Sequence, residues 1–345
     1  MPDDDRGARL LAARDGAFTM ILAGDIGGTS TRLAIFDADS GPLAVRAEER
    51  YPSAGYAGLL EIVREFTATQ PFPIGSACFG IAGPVRDGRV ETPNLPWVIE
   101  ARALAAELGV PRVSLLNDLE ANAWGVFTLG GADVATLAAG RPPHDGNAAI
   151  ISAGTGLGEA GYFWDGRRLR PFASEGGHAS FAPHDEVTIE LYHWLHRRHG
   201  HVSWERVLSG PGLVNIFNFL RDSQRGDEPK WLAEEIEAGD AAAAISKAAL
   251  AESSELAVHA LDLFVTFYGA EAGNLALKMK ATQGVWIGGG IAPKILPRMK
   301  RPGFLEAFHD KGRFRAFLEA VPVRVILNDK TALRGAAFHA QEERA

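Results

Sequence analysis

The sequence predicts an α/β protein of two domains built on a duplicated β-hairpin core. Three observations carry this. The chain of 345 residues has room for roughly two domains of about 150 residues each. A strand, glycine-turn, strand unit occurs twice. Between and after the two units, apolar strands alternate with amphipathic helices, the pattern of α/β folds.

The elements follow in order. Met20–Ala23 is an apolar run, Gly24-Asp25-Ile26-Gly27-Gly28-Thr29 turns the chain, and Arg32–Phe36 is apolar again, which predicts a hairpin. A helix is expected near Gly58–Thr69, a strand near Ile74–Ile81, a helix near Glu100–Glu107 and a strand near Arg112–Leu116. Asn117-Asp118 closes that strand and opens a helical segment, Leu119–Trp124. The second hairpin runs from Ala148–Ser152 through Ala153-Gly154-Thr155-Gly156-Leu157-Gly158 to Glu159–Trp164, with another turn at Asp165-Gly166. After Pro183 the chain reads as mainly helical, with Thr188–Arg198, Pro211–Leu220 and a long Ala-rich stretch from about Trp231 to Lys278. A strand at Gly284–Ile287 precedes Gly288-Gly289-Gly290, and a last strand, Val321–Leu327, precedes a helix from about Thr331. The domain boundaries expected are an N-terminal extension of poor order over 1–19, a small α/β domain over 20–128 completed by 329–345, and a large α/β domain over 129–328.

Composition removes several classes of function. Hydrophobic residues make up 46% and charged residues 23%, as in globular proteins, which argues against a disordered or fibrous chain. Acids exceed bases to give a net charge of −8, which disfavours nucleic acid and anionic membranes as partners. The single cysteine, Cys78, forbids an internal disulfide and any multi-cysteine metal site, consistent with a reducing cytosol. No uncharged apolar run reaches the roughly 18–20 residues of a membrane span, and the acidic N-terminus lacks a signal core, so a cytoplasmic location is expected.

The 39 glycines gather in a few loops, and these loops carry the chemistry. Glycine turns let backbone N–H groups approach an anion closely. A single such turn is more often an ordinary hairpin turn. Two of them, each with a threonine (Thr29, Thr155), point instead to a polyphosphate held between paired loops. The second turn lacks the following helix of a dinucleotide fingerprint, and neither turn has the lysine of a Walker loop. Asn117-Asp118 in isolation reads first as a helix cap, and a carboxylate there can also act as general base where a hydroxyl lies within hydrogen-bond reach. Ser174-Glu175-Gly176-Gly177-His178 sets a carboxylate and an imidazole three residues apart across a bend, suited to neighbouring sugar hydroxyls, although a solvated surface turn would read the same. Glu205 stands just before the turn that opens the helix at Pro211 and is unremarkable alone. His193, His196, His199 and His201 lack acidic or thiol companions, which favours a solvated helix face over a metal site.

Taken together, GDIGGTSTRLAIFD, FGIAGPV, LLNDLEANAWG, GTGLGEAGYF, SEGGHASFAP, ERVLSGPGLVN, WIGGGIAPKIL and DKGRF resemble bacterial glucokinase, in family order, from about Met20 to the C-terminal helix. The resemblance implies an actin-like, hexokinase-type ATPase fold whose two domains close on a cleft. It implies ATP-dependent phosphorylation of D-glucose at the 6-hydroxyl, with ATP and Mg²⁺ required, no zinc, and a homodimer. By resemblance, Gly24, Asp25, Ile26, Gly27, Gly28 and Thr29 form the first phosphate loop, with Asp25 holding Mg²⁺ through water. Gly154, Thr155 and Gly156 form the second, and Gly288, Gly289 and Gly290 belong to the adenosine pocket. Asn117, Asp118, Glu175, His178 and Glu205 match the glucose ligands, with Asp118 as catalytic base. Ser180 departs from the family's usual Asp before Phe-Ala-Pro. The alternatives are a kinase for another hexose and a sugar-sensing regulator without catalysis.

Overall fold

The computed structural model describes residues 20–39, 43–92 and 95–344; the extension expected over 1–19 lies outside them. The described residues fall into two compact units, one within Met1–Gly130 and Asp329–Ala345, the other Gly131–Asn328.

The first unit holds strands β1 (Met20–Ile26), β2 (Ser30–Asp37), β3 (Ala44–Pro52), β4 (Ile74–Ile81), β5 (Arg89–Glu91), β6 (Val98–Glu100) and β7 (Val113–Asn117). Five of them form a sheet in the order β3-β2-β1-β4-β7, with β5 and β6 pairing separately. Alternation along β1 feeds both faces of the sheet. Leu22 packs with Leu33, Phe79 and the helix Leu59–Ala68 through Ile62, Val63 and Phe66. Ile21 and Ala23 face the other way, with Phe36, Cys78, Trp124 and the helix Thr331–Glu342 through Leu333, Ala336 and Ala337. That C-terminal helix crosses the helix Asp118–Gly125 at bare backbone. A Cβ on Gly335 would overlap the Ala121 carbonyl oxygen, and one on Gly125 would overlap that of Thr331.

The second unit repeats the plan. Its strands are β8 (Val134–Ala138), β9 (Ala148–Ala153), β10 (Leu157–Trp164), β11 (Leu169–Ser174), β12 (Gly284–Gly288) and β13 (Val323–Ile326), in the order β11-β10-β9-β12-β13-β8. In both sheets the first strand pairs antiparallel with the second and parallel with the fourth of the unit's core, as β1 does with β2 and β4 and β9 with β10 and β12. The core lies between the sheet and the long helix Glu255–Met279, with Ile151, Phe264, Tyr268 and Phe304 fully buried.

Two readings of the turns are corrected. Gly24, Asp25 and Ile26 do not turn the chain: they are the last residues of β1, paired with Leu33, Arg32 and Thr31. Gly24 is there because a Cβ would lie 2.5 Å from Phe79 Cδ1. The turn is only Gly27–Thr29. Likewise the second turn is only Gly154–Gly156, since Ala153 and Leu157 already pair in the ladder. The Ala-rich stretch from Trp231 is three helices, Lys230–Ala238, Ala241–Leu250 and Glu255–Met279, the last two opened by Asp240 and Ser254 accepting from Ala243 and Ala257 amides.

Candidate active site

In the first unit the parallel strands β4 and β7 end level with the β1–β2 turn, where open α/β sheets present ligand-binding groups. Gly27 N–H donates to the Ser30 carbonyl at 3.0 Å, and Ser53 Oγ donates to the Gly27 carbonyl at 2.8 Å, so the turn is braced from β3's end. Beneath it, burial raises the Asp25 carboxyl from the usual range to about 6. Asp118 adds to that rise, Arg32 opposes it, Asp329 adds further, and Arg50 opposes it. Two carboxylates that disfavour each other's ionisation are a donor set suited to a cation.

Asn117 and Asp118 are both a helix start and a presented pair. Asn117 Oδ1 caps the helix Asp118–Gly125 by accepting from Leu119 N–H at 3.0 Å, and its Nδ2 donates to the Gly83 carbonyl at 3.1 Å. Asp118 Oδ1 accepts from the same Leu119 N–H at 2.9 Å, and the residue is exposed. The capping reading was therefore sound, and it does not exclude a catalytic one.

In the second unit three loops meet. Gly154 N–H donates to the Gly156 carbonyl at 2.8 Å, and the Gly154 carbonyl accepts from Gly210 N–H, which opens the helix Gly210–Asp222, also at 2.8 Å. Among the described residues, no backbone bond takes up the N–H groups of Gly28 and Thr29 in the first turn or Thr155 and Gly156 in the second. Those amides are what an anion would meet. Glu205 Oε2 accepts from Leu157 N–H at 3.0 Å, and a Cβ on Gly156 would lie 2.6 Å from that oxygen. Glu205 thus touches the phosphate-type turn directly. Gly288–Gly290 packs on the same strand end: a Cβ on Gly289 would overlap the Ala153 carbonyl oxygen, and Tyr268 Oη accepts from Ala153 N–H and donates to the Gly288 carbonyl.

Glu175 precedes and His178 ends a single 3-10 turn, Gly176–His178, with Nε2 of His178 4.0 Å from Oε2 of Glu175 and both side chains exposed. The following residues run back beside 202–204: Phe181 N–H donates to the Val202 carbonyl at 2.9 Å, and Trp204 N–H to that of Ala179 at 3.0 Å. That pairing ties the Glu175–His178 turn to Glu205. His193, His196 and His199 lie on the helix Glu186–His199, where His196 stacks on Tyr192, while His201 contacts the His178 carbonyl. Among the described residues no group of three or more His, Cys, Asp or Glu is placed to hold a metal, and no helix is long and apolar enough to cross a membrane.

Ser53, which braces the first turn, lies outside every motif, and Glu159, a buried acid on β10, lies inside one with no role assigned to it. Comparison with known proteins decides the family. A family model described as Glucokinase matches residues 22–343. The chain belongs to the glucokinase family. The glucokinase of Nostoc sp. is 43% identical over 336 residues, covering 93% of this chain and 98% of that one. The glucokinase of Yersinia pestis (strain Pestoides F) is 34% identical over 325 residues, covering 94% and 97%. Among solved structures, a glucokinase from an Antarctic psychrotroph matches with a TM-score of 0.84 at 30% identity, over 94% of this chain and 100% of that one. The hexokinase-type ATPase fold, with its two α/β domains, and an enzymatic activity of the sugar-phosphorylating type follow from this membership.

Proposed function

We propose that the enzyme transfers the γ-phosphoryl group of ATP to the 6-hydroxyl of D-glucose, with Asp118 as general base. The observation that carries this is the position of Asp118: an exposed carboxylate at the end of β7, electrostatically linked to Asp25 beneath the first glycine turn. A carboxylate there takes the hydroxyl proton as oxygen attacks phosphorus. Asn117, Glu175, His178 and Glu205, with Asp118, hold the sugar. Amides and carboxylates each span neighbouring hydroxyls, so an epimer leaves a buried group unpaired and is discriminated against. Gly27–Thr29 and Gly154–Gly156 present N–H groups to the phosphate oxygens, and Gly288–Gly290 serves the adenosine. Asp25 is the residue suited to hold Mg²⁺ through water, and that ion supplies positive charge to the phosphate oxygens. The homodimer belongs to the same reading, and sedimentation tests it.

The test is identification of the product. ATP-dependent formation of glucose 6-phosphate, much faster than phosphorylation of fructose, mannose or N-acetylated amino sugars, supports the reading. Preference for another hexose overturns the substrate, and saturable glucose binding with no phosphoryl transfer favours the regulator.

A further inference from the structure

Glu159 and Glu271 are the two acids of the second unit that are almost completely shielded from solvent, at 1% and 0% exposure. Glu159 lies on β10 and Glu271 on the helix Glu255–Met279. Glu271 is well supplied with donors: Asn274 Nδ2 reaches its Oε2 at 2.7 Å, and Lys278 Nζ its Oε1 at 2.8 Å. Glu159 Oε1 has no donor from any other group. A buried carboxylate in that position is costly, and the solution available to it is to hold a proton.

The segment bearing Glu175 and His178 rests on Glu159. Gly176 lies so close to Glu159 that a Cβ would overlap Oε2, and a Cβ on Gly177 would overlap the Leu157 carbonyl oxygen. Ser174 Oγ donates to the Glu159 carbonyl at 2.9 Å and accepts from Gly176 N–H at 3.2 Å. We propose that Glu159 holds a proton at neutral pH beside the Glu271 carboxylate, and that this buried, singly charged pair positions the Gly176–His178 turn, and with it Glu175 and His178, for sugar binding. The inference rests on the reading of Glu175 and His178 as sugar ligands.

Burial raises the Glu159 carboxyl to about 8, with the Glu271 charge adding to the rise and Lys278 opposing it. The other groups facing the pair are Tyr268, whose phenol burial also raises, and Lys311, whose amine burial lowers while Asp310 and then Glu271 pull it back up. Losing the proton places a second negative charge directly behind the turn. Glucose affinity is then expected to fall as pH rises through about 8, with the KM for ATP changing less.

The experiment measures glucose affinity by calorimetry, and both KM values, from about pH 7 upward through the pH range of the Glu159 ionisation, in the unaltered protein, Glu159→Gln and Glu271→Gln. Infrared difference spectra of the protonated-carboxyl band are recorded alongside. The expected result is an alkaline loss of glucose affinity that vanishes in Glu159→Gln, whose amide mimics the protonated acid, and moves to lower pH in Glu271→Gln, where the repelling charge is gone. The band should be present at neutral pH, bleach with the same midpoint and be missing in Glu159→Gln. An alkaline loss that persists in folded Glu159→Gln overturns the proposal, and so does the lack of the band at neutral pH. If Glu159→Gln does not fold, the midpoint in Glu271→Gln decides, and an unmoved midpoint overturns the proposal. Absence of glucose binding at every pH overturns the sugar-site reading, and with it the positioning role, while the band still reports on the Glu159 proton separately.

Discussion

Replacing Glu205 tests whether one carboxylate serves both the sugar and the phosphate-type turn. Its Oε2 accepts from Leu157 N–H at 3.0 Å, immediately after Gly156. A hydrogen bond to a charged group contributes about 1.5–3 kcal/mol, and the lower part of that range, about 1.5–2 kcal/mol, suits a half-buried residue. Glu205→Ala removes the acceptor and leaves the amide unpaired, so the KM for ATP should rise about 10- to 30-fold at 1.4 kcal/mol per factor of ten. Glu205→Gln keeps an acceptor oxygen without the charge, at about half the strength, and should raise it only about 3- to 5-fold. Both variants should lose at least about tenfold in glucose KM, the loss of one charged contact to a hydroxyl. Initial-rate kinetics with each substrate varied at saturation of the other gives both constants. An ATP KM unmoved in Glu205→Ala, with glucose KM raised, would refute the claim that Glu205 fixes the turn.

Further outcomes follow from other residues. Gly335→Ala forces a Cβ against the Ala121 carbonyl at the crossing of two helices and should cost about 1–3 kcal/mol or more in urea denaturation, because backbone cannot yield as a side chain does. Glu159 has a folded-state value raised to about 8 from the ordinary 4.5. Its contribution is therefore fully favourable below the ordinary value and declines as pH rises from there to about 8, so the urea midpoint should fall over that window and fall less in Glu159→Gln. Cys78 is fully buried and its thiol is pushed up mainly by that burial, so it should react with a disulfide reagent only when the protein unfolds, tracked by thiol release against urea.

What was legible in the sequence was what local chemistry specifies. The paired hairpins announced themselves through glycine turns between apolar runs, and Asn117-Asp118 through its place between strand and helix. The edge strands β3, β8 and β11 are not legible in the sequence. β3 is rich in charge and β11 carries Pro171, so neither shows a buried strand's apolar run. Gly24 and Asp25 read as part of the turn because glycine suggests a bend, whereas the cause of the glycine is the ring of Phe79 on the neighbouring strand. The breaks in the Ala-rich stretch were visible at Asp240 and Ser254, whose capping roles the apolar composition around them obscured. Glu159 and Glu271 could not be singled out at all, since only the packing of the long helix on β10 brings together two acids 112 positions apart in the chain.

The most direct test of the central claim is ADP formation from Mg·ATP, with and without glucose, in the unaltered protein and in Asp118→Asn. The substitution keeps the side chain's shape and the bond to Leu119 N–H while removing the base. Strong stimulation by glucose, and a fall of about 10²–10⁴-fold in the stimulated rate of the variant with glucose still bound, is the predicted result. ADP formed equally without sugar, or a variant as fast as the unaltered enzyme, would contradict it.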